Sequence, residues 1–78
     1  MMGNDDKLVE LIEVLADVLE IESGTLTKET SRENLEEWDS LVHLQMIAEV
    51  EEHFNIKIPF EDIINIHKIA DFLKYIER

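Results

Sequence analysis

The chain has 78 residues, no cysteine and a formal net charge of −12. This length predicts a single domain over residues 1–78, and the lack of cysteine excludes a disulfide framework or a thiolate metal site that could reinforce its small core. The acidic balance disfavours nucleic acid and anionic lipid as partners and favours basic protein surfaces, unless the charge serves solubility alone.

The first predicted element is a helix over residues 5–22, where apolar residues recur at three- and four-residue spacing. These residues are Leu8, Leu11, Ile12, Leu15, Val18 and Leu19. Asn4 or Asp5 is expected to cap the start of the helix. Ser23-Gly24 is expected to end it, because glycine readily adopts the left-handed conformation beyond a helix.

Residues 23–38 show no period and predict a loop that is long for a chain of this size. Its isolated apolar residues, Leu26, Leu35 and Trp38, predict that the loop is pinned to the core. Trp38 is either an exposed recognition aromatic or a core residue that fixes the entry into the next helix. The second interpretation is favoured, since a lone tryptophan beside a helix start more often packs than protrudes.

A second helix is predicted over residues 40–54, with Asp39 or Ser40 as its cap. Its buried face is expected to be formed by Leu41, Leu44, Ile47, Ala48 and either Val50 or Glu51. Pro59 prevents the helix from continuing, since proline lacks the required N–H and clashes with the preceding turn.

Two further helices are predicted, a short one over residues 61–66 and a last one over residues 68–77. Lys74 and Arg78 suit the negative end of the last helix. The chain therefore predicts an all-α fold: a small four-helix bundle with three main helices, one short helix and a long first loop.

Ser40 allows several interpretations from the residues alone. As a nucleophile it would need a base, and His43 is the nearest candidate. Both are expected on the helix surface, where a site excludes no water and builds no oxyanion hole. A simple helix cap is the stronger alternative. His43, His53 and His67 share no helical face and the acids follow no calcium-loop pattern, so neither catalytic residues nor metal ligands are predicted.

The tripeptide Asp39-Ser40-Leu41 opens a helix that ends in an Ile-x-Ile-Pro segment at residues 56–59. Together with their positions, these features resemble the acyl carrier protein family. The resemblance continues through Ile66, Ile69, Leu73, Tyr75 and Ile76. It implies that Ser40, flanked by Asp39 and Leu41, carries 4′-phosphopantetheine from coenzyme A, attached by a separate phosphopantetheinyl transferase. It also implies a carrier, not an enzyme, that presents acyl or aminoacyl groups as thioesters.

One departure from the family pattern lies just before the serine, where residues 35–40 read LEEWDS and lack the usual glycine. This departure favours a carrier of a specialised pathway (polyketide, peptide-type or envelope tailoring) over one of housekeeping fatty acid biosynthesis. Two alternatives stay open: a peptidyl-type carrier loaded by an adenylating enzyme, and an unmodified acidic helical adaptor for a basic protein.

Acyl-loading and acyl-processing enzymes with basic surfaces are the partners that the resemblance implies. The acidic residues expected to meet them are Glu36, Glu37, Asp39, Glu49 and Glu52. Val42 and Met46 are expected to add an apolar strip on the exposed side of the second helix. A monomer is expected. Because no apolar run approaches the roughly 18 residues of a membrane span and the N-terminus has no basic leader region, a cytoplasmic location is expected as well.

Overall fold

A computed structural model of the chain describes residues 4–76, with the side chains of residues 6–76. Its four α-helices are α1 (Asn4–Leu19), α2 (Ser40–Phe54), α3 (Phe60–Ile63) and α4 (Ile69–Ile76). Two short 3₁₀ helices, Ser23–Thr25 and Arg32–Asn34, lie in the long loop between α1 and α2. Within the described range there is no strand, so the predicted all-α class is confirmed.

Helix α1 ends three residues earlier than predicted. Glu20 adopts a left-handed conformation with φ of 60°, and the Ile21 N–H donates to the Ala16 carbonyl at 3.1 Å. Gly24 instead lies in the first 3₁₀ helix. The cap predicted at Asn4 or Asp5 concerns side chains outside the described set, and Arg78 also lies outside it.

The core lies between α1, α2 and α4. Its fully buried side chains are Leu11, Leu15, Met46, Val50, Ile66, Ile69 and Phe72. The face of α2 that enters this core consists of His43, Met46, Ile47 and Val50. No helix within residues 4–76 is long and apolar enough to cross a bilayer.

The predicted buried face of α2 is wrong in part. Leu41 is 67% exposed and Leu44 is 55% exposed, whereas His43 is only 4% exposed. Ala48 is exposed too. The helix carries two apolar stripes, and the pattern did not show which one faces inward. Its rotation buries the stripe of Met46, Ile47 and Val50 and leaves the two leucines in solvent.

The long loop is attached to the entry of α4 by backbone hydrogen bonds. The Ile69 N–H donates to the Thr30 carbonyl at 3.0 Å, and the Arg32 N–H donates to the His67 carbonyl at 2.8 Å. Leu26 and Trp38 are buried at 4% and 3% exposure. The loop is therefore pinned, as predicted, and it delivers Ser40 to a defined place.

The short helix between α2 and α4 has fewer residues than predicted. Helix α3 starts directly after Pro59 and lasts four residues. Asn55 closes α2 in a left-handed conformation, with φ of 56°. At the start of α4, the Asp71 carboxylate accepts hydrogen bonds from the N–H groups of His67 and Lys68, at 2.9 and 3.2 Å. Asp71, in the first turn of α4, thus supplies the hydrogen-bond acceptor for the backbone N–H groups at the start of this helix.

Candidate functional site

Ser40 is the first residue of α2 and is exposed to solvent. The helix cap is Asp39, whose Oδ1 accepts a hydrogen bond from the Val42 N–H at 2.9 Å. The alternative that Ser40 caps the helix is therefore wrong. Among the described residues no hydrogen bond engages the Ser40 hydroxyl. Asp39 satisfies the helix start, and the serine oxygen stays available to another molecule.

A buried chain of hydrogen bonds lies directly beneath this serine. Trp38 Nε1 donates to His43 Nδ1 at 2.9 Å, and His43 Nε2 lies 2.8 Å from the Ile63 carbonyl oxygen. Indole N–H can only donate, so Nδ1 must accept, and Nε2 then carries the proton donated to Ile63. The neutral Nε2–H form of His43 is thereby specified. The chain ties the loop before Ser40, helix α2 and the end of α3 together.

The electrostatics of His43 agree with this neutral form. Burial lowers the pKa of the imidazole from its usual 6.5, and the charges of Arg32 and His67 lower it further, while the bond to the Ile63 carbonyl acts in the opposite direction. Protonation at Nδ1 would also place two donors against each other at Trp38. His43 is consequently held uncharged by its setting and by its partners.

His43 cannot serve Ser40 as a catalytic base. The expectation that it lies on the helix surface is wrong, because it is buried, and both ring nitrogens already have partners. The other two histidines lie elsewhere: His53 contacts Glu10 at 2.8 Å, and His67 is 3.9 Å from Glu33. Within residues 4–76 no three potential metal-ligating side chains cluster.

An apolar groove of about 310 Å³ opens beside Ser40, between α2 and α3. Its lining residues are Arg32, Ser40, His43, Leu44, Phe60, Ile63 and Ile64. Phe60 is 78% exposed and Ile64 is 64% exposed, so the wall formed by α3 offers large apolar side chains to solvent. Sequence reasoning missed this wall. The four-residue spacing of Phe60 and Ile64, on a helix too short to bury both, was the signal that could have found it.

The structure leaves some of the predicted docking residues exposed and buries others. Glu36, Glu37 and Asp39 are exposed immediately before Ser40, and Glu49 and Glu52 are exposed further along α2.

The predicted apolar strip is wrong at Met46, which is fully buried. Val42 is half-buried and packs against the core. The physical reason is the rotation of α2: with Met46 turned inward, Leu41 and Leu44 form the exposed apolar strip next to Ser40.

The start of α2 suits an anionic group on the serine. The N–H groups of Ser40 and Leu41 have no acceptor among the described residues, and they lie at the positive end of a 15-residue helix. Arg32 adds a cation to the same groove. An accessible hydroxyl, unpaired N–H groups and a nearby guanidinium together fit a phosphate ester at Ser40.

Comparison with known proteins gives consistent matches. The family model described as "Phosphopantetheine attachment site" matches residues 9–76. An acyl carrier protein of Prochlorococcus marinus is 29% identical over 76 residues, covering 97% of this chain and 95% of its own length. An acyl carrier protein of Porphyromonas gingivalis is 30% identical over 69 residues, covering 88% of each chain. The meromycolate extension acyl carrier protein of Mycolicibacterium smegmatis is 27% identical over 74 residues, covering 95% of this chain and 75% of its own.

Proposed function

The chain belongs to the acyl carrier protein family, whose members carry 4′-phosphopantetheine covalently, and we propose that Ser40 is the residue that accepts this group. The chain is thus a carrier and not a catalyst. The observation that supports Ser40 is its position: an exposed hydroxyl at the first residue of α2, with the capping role taken by Asp39.

When bound, the group supplies a terminal thiol that holds an acyl or aminoacyl cargo as a thioester. The chain's own contribution is to present the nucleophile. Ser40 Oγ forms a bond to the phosphorus of coenzyme A that bears pantetheine, the bond to adenosine 3′,5′-bisphosphate breaks, and the serine proton passes to a base of the transferase. Asp39 and the buried Trp38–His43–Ile63 chain hold the start of α2 in place for this reaction.

Partner enzymes are proposed to dock around the exposed start of α2. Glu36 and Glu37 before Ser40, and Glu49 and Glu52 further along α2, are exposed acids that would attract a basic surface and orient it, while Leu41 would offer an apolar contact beside Ser40. The family implies a phosphopantetheinyl transferase and biosynthetic enzymes as partners. Their basic docking surfaces are our proposal.

A specialised biosynthetic pathway is proposed in preference to housekeeping fatty acid synthesis. The LEEWDS segment supports this, because it lacks the usual glycine and contains Trp38, whose buried indole donates a hydrogen bond to His43. The similarity to a meromycolate extension acyl carrier protein also supports this proposal. A peptidyl-type carrier loaded by an adenylating enzyme is the second candidate within the same class.

Incubation with a broad-specificity transferase, magnesium and coenzyme A tests the attachment site. Intact mass should rise by one phosphopantetheinyl group in the wild type and in Ser23→Ala, a matched variant at another exposed serine. Ser40→Ala should gain nothing. Modification of Ser40→Ala, or none of the wild type, would reject Ser40 and would favour the unmodified acidic adaptor in the second case.

A further inference from the structure

Arg32 is an unpaired cation in an acidic chain. It is half-buried at the start of the second 3₁₀ helix and lines the groove that contains Ser40. Among the residues that the structure describes, no carboxylate lies within ion-pair distance of its guanidinium. Two other cations are paired, Lys68 with Glu29 and Lys74 with Asp71. Lys28 and Lys57 form no ion pair within the described residues either, but they are exposed and do not line the groove. Arg32 therefore has a charge without a partner at the place where Ser40 is exposed.

The backbone holds Arg32 in this position. Its N–H donates to the His67 carbonyl at 2.8 Å, and its carbonyl accepts from the Leu35 N–H at 3.3 Å. Its charge also reaches His43 and contributes to the lowered pKa of that imidazole. The backbone of Arg32 is therefore fixed at the groove, and its half-buried side chain lines the groove together with His43.

Resting on the function proposed above, we propose that Arg32 binds the phosphodiester formed at Ser40 and so directs the prosthetic arm along the groove toward Phe60 and Ile64. A guanidinium presents paired N–H donors that match two phosphate oxygens, and such charge-assisted bonds are stronger than neutral ones. The surrounding acids would repel the phosphate and turn the arm outward, so a single well-placed cation has a large directional effect.

The charge of the groove and its position beside Ser40 indicate which group occupies it. The groove begins at Ser40, its only fully charged lining side chain among the described residues is Arg32, and its walls are apolar. The phosphopantetheine arm fits this arrangement, because it is covalently fixed at Ser40, begins with an anionic phosphodiester and continues with a largely apolar chain. An acid of a partner enzyme would match the cation but would leave the α3 wall without a role.

Phosphorus NMR of the phosphopantetheinylated protein tests this assignment. The native wild-type resonance should be displaced from that of the same modified chain in urea. Arg32→Gln should lose most of this displacement. Arg32→Lys should keep part of it, because lysine retains the positive charge but lacks the paired N–H donors of the guanidinium. Lys57→Gln, the matched control, removes one exposed charge that follows the end of α2 and does not line the groove, and it should keep the full displacement.

Proton cross-relaxation gives a second readout. Contacts between the pantetheine methyl groups and the Phe60 ring should be present in the wild type and in Lys57→Gln, and lost in Arg32→Gln. Equal spectra for Arg32→Gln and Lys57→Gln would overturn the assignment. Slower modification of Arg32→Gln with an unchanged phosphorus resonance would also overturn it and would place Arg32 at the transferase contact. Absence of any modification would reject the proposed function, and intact mass separates that outcome from the others.

Discussion

The two ends of α2 are attached to the rest of the molecule in different ways. At the N-terminal end, His43 is buried and bonds to Trp38 and Ile63. At the C-terminal end, His53 is exposed and bonds to Glu10 of α1. A buried bond whose partners cannot reach water is costly to break, whereas an exposed pair is easily replaced by solvent.

This difference explains how the chain can leave Ser40 free. The C-terminal end is held by apolar packing of Val50 and Phe54, by the exposed His53–Glu10 pair and by the left-handed turn at Asn55, with no buried polar bond among these contacts. The N-terminal end is held from within by His43, and its outer surface keeps the serine, Leu41 and the groove accessible. Anchoring from the inside is what an attachment site on a helix start requires. The following predictions test this asymmetry, beginning with the largest effect.

Replacing each of the two α2 histidines separately should lower the free energy of unfolding by very different amounts. His43→Ala should lower the free energy of unfolding by about 2–4 kcal/mol, because it leaves the Trp38 N–H and the Ile63 carbonyl without partners and opens a cavity. His53→Ala should cost less than about 1 kcal/mol. Urea denaturation of both variants measures the two losses in the free energy of unfolding. Similar losses would show that the buried bonds of His43 do not anchor the start of α2.

Trp38→Phe keeps an aromatic ring in the core but removes the indole donor. The loss should be about 1–3 kcal/mol, since His43 Nδ1 is left buried without a donor. In a double-mutant cycle with His43→Ala the two effects should be strongly non-additive, because both variants break the same bond. Additive effects would mean that Trp38 contributes by apolar packing alone.

The pH dependence of stability should carry the signature of His43. Its pKa is lower in the folded protein than the 6.5 of the unfolded chain, so the unfolded state binds more protons as the pH falls. Stability from this group is complete above pH 6.5 and is lost on acidification toward the lowered pKa, with a slope of at most about 1.4 kcal/mol per pH unit.

Urea titrations between about pH 5.5 and 7.5, one unit on either side of the pKa of an ordinary histidine, measure this slope. His43→Gln should flatten it. The prediction fails if His43→Gln keeps the wild-type slope.

The capping residue Asp39 and the proposed attachment residue Ser40 should contribute unequally to the free energy of unfolding. Asp39→Ala should cost about 1 kcal/mol, because the Val42 N–H loses its acceptor at the helix start. Ser40→Ala should change stability by less than about 0.5 kcal/mol, since its hydroxyl bonds to nothing among the described residues. Thermal denaturation compares them, and a larger loss from Ser40→Ala would restore the serine as the cap.

Much of the fold follows from local signals in the sequence. The apolar spacing before residue 20, the break at Pro59 and the isolated Leu26 and Trp38 predict the helices and the pinned loop, because each depends on nearby residues. The backbone hydrogen bonds between Ile69 N–H and the Thr30 carbonyl and between Arg32 N–H and the His67 carbonyl could not be predicted, since they join segments far apart in sequence.

The rotation of α2 was the main error, and it affected the site. Leu41 and Leu44 are typical core residues, and His43 is typical of surfaces, so composition favoured the wrong face. The decisive contacts are those of His43 with Trp38 and Ile63, which only the folded chain brings together. Ser40 itself could be proposed from the sequence because the motif around it is local. The groove beside it was missed because α3 supplies one wall.

The central claim, that the inside-anchored start of α2 presents Ser40 for attachment, is tested most directly by locating the prosthetic group on the wild-type chain. After modification with a transferase and coenzyme A, proteolysis and fragmentation mass spectrometry assign the phosphopantetheinyl group to a residue. The predicted result is a single group on Ser40, with Ser23 and Ser31 unmodified. A group on any other residue, or a chain that remains unmodified, would contradict the account.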